Sequence, residues 1–77
     1  MSEAERKAAY DEGYRDGHGL AVMMVGKLGY TNAAPVNFIN SGQWWLMVSG
    51  VPGVMAGGMV DGYRDKFNEL DRARSGH

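Results

Sequence analysis

The chain has no cysteine, and its 77 residues include only two prolines and two phenylalanines. Without cysteine there is no disulfide framework and no thiolate metal site, and the redox compartment leaves no mark. Neither charge sign is in excess: the formal net charge is −1 and the pI is near 6.0. A nucleic-acid binder would show a basic face or stripe, so nucleic acid is not an expected partner. The basic-then-apolar order of a signal peptide is missing too, because Ser2 to Asp16 is dense in charges of both signs. The largest absence is local. No Asp, Glu, Lys or Arg occurs between Lys27 and Asp61. A water-facing surface carries charge every few residues, so most of this segment is expected to be covered, by its own core, a partner subunit or lipid.

The inventory for chemistry is equally thin. His18 and His77 are the only histidines, with no spacing suited to a metal. Glu12/Asp16 and Asp61/Asp65 are carboxylates one helical turn apart, which on a charged helix is ordinarily solvated surface. Ser41 and Ser49 have no neighbouring base. Gly13-x-x-x-Gly17-x-Gly19 follows no strand and is not a dinucleotide fingerprint. No catalytic residue, metal or cofactor is expected, and the chain reads as a non-enzymatic protein.

What is present points to helices. Ser2-Glu3-Ala4-Glu5 has the form of a capping box. After it, Tyr10, Tyr14, Gly17, Ala21, Met24 and Leu28 recur on one helical face. Glu3/Lys7 and Asp11/Arg15 are candidate i,i+4 pairs. The pattern predicts a helix over about 3–27, with Gly26 and Gly29 as candidate terminators. Tyr30 to Ala34 reads as a loop. Pro35 opens a short helix over about 35–49 carrying Phe38, Trp44 and Trp45, with an extended Trp44–Val48 as the other reading. Pro52 opens a third helix over about 52–74, with the stripe Met55, Met59, Gly62/Tyr63, Phe67 and Leu70. Ser75 to His77 are expected to fray. The fold class is therefore all-α: a single small domain, a helical hairpin or three-helix unit of two long helices and a short middle one.

Twelve glycines need a geometric reason. Gly13, Gly17 and Gly19 lie inside the first predicted helix, and Gly53, Gly57, Gly58 and Gly62 inside the third. Each costs about 1 kcal/mol relative to alanine, so seven cost about 7 kcal/mol, comparable to the whole stability of a small domain. Close backbone approach between helices would offset this. Gly13/Gly17, Gly53/Gly57 and Gly58/Gly62 all have the spacing that permits it.

The tetrapeptide Gly-Tyr-Arg-Asp occurs at 13–16 and again at 62–65. In an antiparallel pair the two copies would lie side by side, with Arg15 against Asp65 and Arg64 against Asp16. Alternatively Tyr14, Arg15, Tyr63 and Arg64 would form a repeated ligand site. Trp44 and Trp45 diverge by about 100° on a helix, so one is expected inside and the other at a surface or interface.

The segment 44–60 is uncharged but short of the roughly 20 strongly apolar residues of a membrane span. Its flanks carry no charge asymmetry to orient it, since residues 1–27 sum to −1 and residues 61–77 to 0. Ala9-x-x-x-Gly13-Tyr14-x-x-Gly17 resembles a stretch of the small ribosome modulation factor type of protein. That family is strongly basic, whereas this chain is not, and no function is carried over from it.

The expected function is that of a cytoplasmic homo-oligomer acting as a binding accessory of the inhibitor, scaffold or sequestering kind, such as phage and mobile elements encode. Trp44, Trp45 and Phe38 would be its protein-binding anchors. The alternatives are a small-ligand binder with an intersubunit pocket and a membrane-associated protein inserting 44–60.

Overall fold

The computed structural model describes residues 2–75. Four helices follow in order: α1 (Glu3–Ala33), α2 (Pro35–Ile39), α3 (Gln43–Val48) and α4 (Gly53–Ser75), with no strand among the described residues. The all-α class is the one read from the sequence, and two helices are long.

The local signals act where their chemistry requires. Ser2 Oγ accepts from the Glu5 amide at 3.2 Å while the Ser2 amide donates to Glu5 Oε1 at 3.3 Å, closing the capping box. Gly29 interrupts α1 with φ 81°, a left-handed value open to glycine. The chain then resumes one helical turn where a loop was expected. Extended Ala34 leads into Pro35 at the first position of α2. The expected single middle helix is broken in two at its centre. Ser41 Oγ donates to the Phe38 carbonyl at 2.6 Å and accepts from the Gln43 amide, and Gly42 turns the corner at φ 87°. Pro52 precedes α4, its carbonyl accepting from the Ala56 amide at 2.9 Å. Ser75 remains helical, while Gly76 and His77 lie outside the described residues. Of the i,i+4 pairs, neither Glu3/Lys7 nor Asp11/Arg15 forms; Lys7 instead reaches Asp11 at 4.0 Å.

The two long helices are parallel, which corrects the antiparallel hairpin read from the tetrapeptide repeat. Their facing residues ascend together. Gly13 lies against Met55, Gly17 against Met59, Gly58 against Tyr10 and Gly62 against Tyr14. The connection through α2 and α3 carries the chain back to the level of early α1 before α4 starts. At each of those four glycines a Cβ would fall well inside 3.0 Å of a backbone carbonyl of the other helix. Each glycine Cα–H therefore points at such a carbonyl, a geometry worth about 0.5–1 kcal/mol per contact.

The arrangement is internally twofold. Tyr10, Gly13, Tyr14 and Gly17 on α1 have the same spacing as Met55, Gly58, Met59 and Gly62 on α4. Each set supplies two carbonyls and two glycines. Gly53 and Gly57 take no part, since a Cβ added at either would meet nothing within 4 Å. They lie on the other side of α4. Gly58 stands three residues after Met55 and four before Gly62, on the apolar stripe, whereas Gly53 and Gly57 flank Met55 by two residues each way.

One core runs beside this seam: Leu20, Ala21, Ala33, Phe38, Trp44, Met59, Tyr63 and Phe67. Phe38 stacks on Tyr63 at 5.1 Å and meets Trp44 edge-on at 6.1 Å. At the far end Tyr30 packs edge-on against Phe67 at 6.0 Å, with the Arg74 guanidinium 4.0 Å over its ring.

Tyr63 is fully buried and its hydroxyl donates to the Ala33 carbonyl. Burial pushes its pKa from 10.0 up to about 12. The neutral phenol is the form the fold favours. Stability from this group is therefore complete below pH 10 and is lost as the pH rises from 10 towards 12. Two pKa units correspond to about 3 kcal/mol. Urea titrations at pH 9 and pH 11.5 should show the larger part of that loss, and Tyr63→Phe should reduce the difference. An equal loss in the variant would place the effect elsewhere.

Candidate interaction surface

The molecule measures 44 × 26 × 16 Å. A slab so thin holds little interior, and no cavity opens among the described residues. The surface, rather than a pocket, is where the chain offers chemistry.

One face is the outer side of α2 and α3. Phe38 and Trp44 point inward and fix these short helices to Tyr63. A helix that turns one residue in must turn its neighbours out. Trp45 is 65 % exposed, Leu46 79 % and Val36 71 %, and Met47 is also exposed. The intervening exposed residues, Asn37, Asn40, Ser41, Gly42 and Gln43, are uncharged. The neutral stretch is thus not all covered within one chain: its inner residues form the core, and its outer ones, apolar and uncharged polar together, carry no formal charge. Exposed apolar groups in a contiguous patch mark interaction sites, whereas scattered ones do not. Of the two tryptophans, Trp44 is the core member and Trp45 the surface one.

The second face lies where the tetrapeptide copies meet. Asp61 and Asp65 are one turn apart on α4. Tyr10 donates its hydroxyl to Asp61, and Tyr14 donates to Asp65 at 2.7 Å. Each phenol is held above its ordinary pKa of 10.0, first by that hydrogen bond to a carboxylate and then by partial desolvation. His18 continues the row, its ring 5.0 Å from that of Tyr14, while Tyr10 lies 6.3 Å from Tyr14.

The expected Arg15–Asp65 and Arg64–Asp16 pairs are replaced. Tyr14 sits beside the helix seam and reaches Asp65, while Arg15, about 100° further round, points to solvent. Arg64 pairs with Asp61 of its own helix at 3.2 Å. The two tetrapeptides are not structural equivalents. Gly13 corresponds to Gly58 and Gly17 to Gly62, so the sequence repeat is one helical turn out of step with the structural one. Tyr14 is consequently a half-buried surface residue and Tyr63 a core residue.

The residues singled out from the sequence therefore separate. Phe38, Trp44 and Tyr63 come together as core. Of the rest, only Trp45 stands on the outer α3 face, and Tyr14, Arg15 and Arg64 lie elsewhere on the surface. Leu46, Met47 and Val36 were not singled out; the divergence of neighbours around Trp44 is the signal that would have found the first two. Asp61 and Asp65 are visible in the sequence as carboxylates one turn apart, but their pairing with Tyr10 and Tyr14 is not, because the letters point to arginine as the partner. No group of three or more His, Asp or Glu side chains gathers at metal-binding distance among the described residues. No described helix is long and apolar enough to cross a membrane. No family model, curated protein or solved structure matches the chain.

Proposed function

We propose that this chain is a non-enzymatic accessory protein that self-associates and presents the outer face of α2 and α3 to a partner protein. The observation that carries this reading is Trp45, Leu46 and Val36 standing exposed on a layer with no formal charge. Buried Phe38 and Trp44 hold that layer in place from below. Tryptophan is among the residues that dominate protein-binding energetics, and on a pre-formed support little conformational entropy is left to lose. A lipid surface also takes tryptophan and leucine, but such helices ordinarily carry Lys and Arg on their polar side. Here α2 and α3 have none.

The test is a comparison of wild type with the double variant Trp45→Ser/Leu46→Ser as baits in the native host. Both side chains lie outside the core, so helicity and urea midpoint should stay close to wild type, within about 0.5 kcal/mol per site. A protein retained by the wild type and lost from the folded variant is expected. Identical captured sets would overturn the reading. Flotation with phosphatidylcholine vesicles that is lost in the variant would replace the protein partner by lipid.

A further inference from the structure

Around the first long helix the residues from Gly17 to Gly26 carry no formal charge at all. One side of this segment is accounted for: Gly17, Leu20 and Ala21 are buried. The other side is not. Gly19, Val22, Met23 and Gly26 recur at spacings of three, one and three and so share the face turned away from α4. Val22 is 51 % exposed and Met23 45 %. A Cβ added at Gly19 or Gly26 would meet nothing within 4 Å. Apart from His18 the segment is apolar around its circumference, and that is the pattern of a helix buried on all sides. Two helical glycines without a neighbour each cost about 1 kcal/mol relative to alanine, and nothing in the single chain offsets it.

We infer that this face is covered by the same face of a second copy, with the two α1 helices antiparallel about a twofold axis between Val22 and Met23. This names the surface of the self-association proposed above and rests on that reading. Two observations select a second copy. First, the stripe Gly19-x-x-Val22-Met23-x-x-Gly26 is palindromic in side-chain size. Turned end for end, Gly19 meets the partner's Gly26 and Val22 meets the partner's Met23, so one surface is complementary to itself, as a twofold dimer requires. Second, the flanking charges fit. Asp16 and Lys27 are exposed and make no ion pair within the described residues. They stand eleven residues apart, close to three full turns, and therefore on the same flank of α1. In an antiparallel twofold pair like flanks face each other. Asp16 then lies within about 3 Å along the axis of the partner's Lys27, twice over by symmetry. The glycines allow the backbones to approach as the α1/α4 seam already does.

Because the chain lacks cysteine, single-cysteine variants test this directly. Val22→Cys and Met23→Cys lie next to the axis and should form disulfide dimers on mild oxidation, whereas Leu46→Cys on α3 should not. Gly26→Leu should remain helical, since its side chain enters open space, and should weaken the dimer about tenfold or more in concentration-dependent light scattering, an effect of about 1.4 kcal/mol or larger. Dimers that cross-link through Leu46→Cys but not through Val22→Cys or Met23→Cys, or that are untouched by Gly26→Leu, would overturn this face and leave self-association standing. A monomer at every concentration would overturn both.

Discussion

Gly62→Ala should destabilise the protein by about 3 kcal/mol, although alanine is the better helix former. The added methyl would meet the carbonyl and Cα of Tyr14, backbone atoms of the neighbouring helix. A side chain in that place would rotate away; a backbone carbonyl can yield only if the helices separate. The cost therefore belongs at the upper end of the range for overpacked sites, beyond the roughly 1 kcal/mol that alanine returns in helix propensity. Gly17→Ala, facing the Met59 carbonyl and the Tyr63 amide, should behave alike. The double variant should be largely unfolded at room temperature, given the stability usual for so small a domain. Gly57→Ala on the same helix as Gly62 should have the opposite sign, stabilising by about 0.5–1 kcal/mol, because its methyl meets nothing within 4 Å. Urea midpoints followed by circular dichroism check all of these variants. If Gly57→Ala and Gly62→Ala shift the midpoint in the same direction, the seam is not where the helices hold together.

Phe38→Ala should cost about 3–5 kcal/mol, the range for emptying a buried aromatic site. The ring is 1 % exposed, lies flat on Tyr63 and supports Trp44. Its loss takes away the main attachment of α2 and α3 to α4. The loss should also be unevenly distributed. Both tryptophans are in α3, so fluorescence reports release of that layer while circular dichroism reports α1 and α4. In the variant the fluorescence transition should precede the helical one. Coincident transitions would mean that the layer and the helix pair unfold as one unit. Val36→Ala, on the same short helix but facing out, should be nearly silent.

How much of this was open to reading depends on whether the deciding physics is local. Ser2 and Glu5 cap α1 within one turn, Gly29 breaks it through its own φ, and Pro35 starts α2 through its own ring. Each is a short-range effect, and each is visible in the letters. That Trp44 and Trp45 must part company is also local, following from about 100° per residue. Which of them goes inside is not, because that depends on where Phe38 and Tyr63 lie. The direction of α4 relative to α1 is non-local for a similar reason. A repeated tetrapeptide suggests matched edges, but helix direction is decided by the path of residues 34–52, whose corners at Ser41-Gly42 and Gly50 return the chain to the level of early α1. Once the helices are parallel, the repeat is displaced by a turn. Tyrosine rather than arginine then reaches the carboxylates. The exposed α2–α3 face was half legible: Trp45 was named, while Leu46 and Val36 needed the rotation of two short helices to be known.

The parallel pairing also determines the order in which this chain can assemble. Helical proteins of this size usually fold fast because neighbouring helices turn back on one another and meet across short loops. Here the hydroxyl of Tyr10 meets Asp61 and that of Tyr14 meets Asp65, each across 51 positions. No contact along the glycine seam can form until the whole crossover has been closed, and closure entropy is lost before any of those contacts repays it. The α1 and α4 helices, rich in glycine, have little stability to contribute beforehand. Closing the crossover, with Phe38 stacked on Tyr63 and Trp44 edge-on to Phe38, is what brings α4 alongside α1, so the layer that faces outward in the finished molecule also sets the register of the seam beneath it.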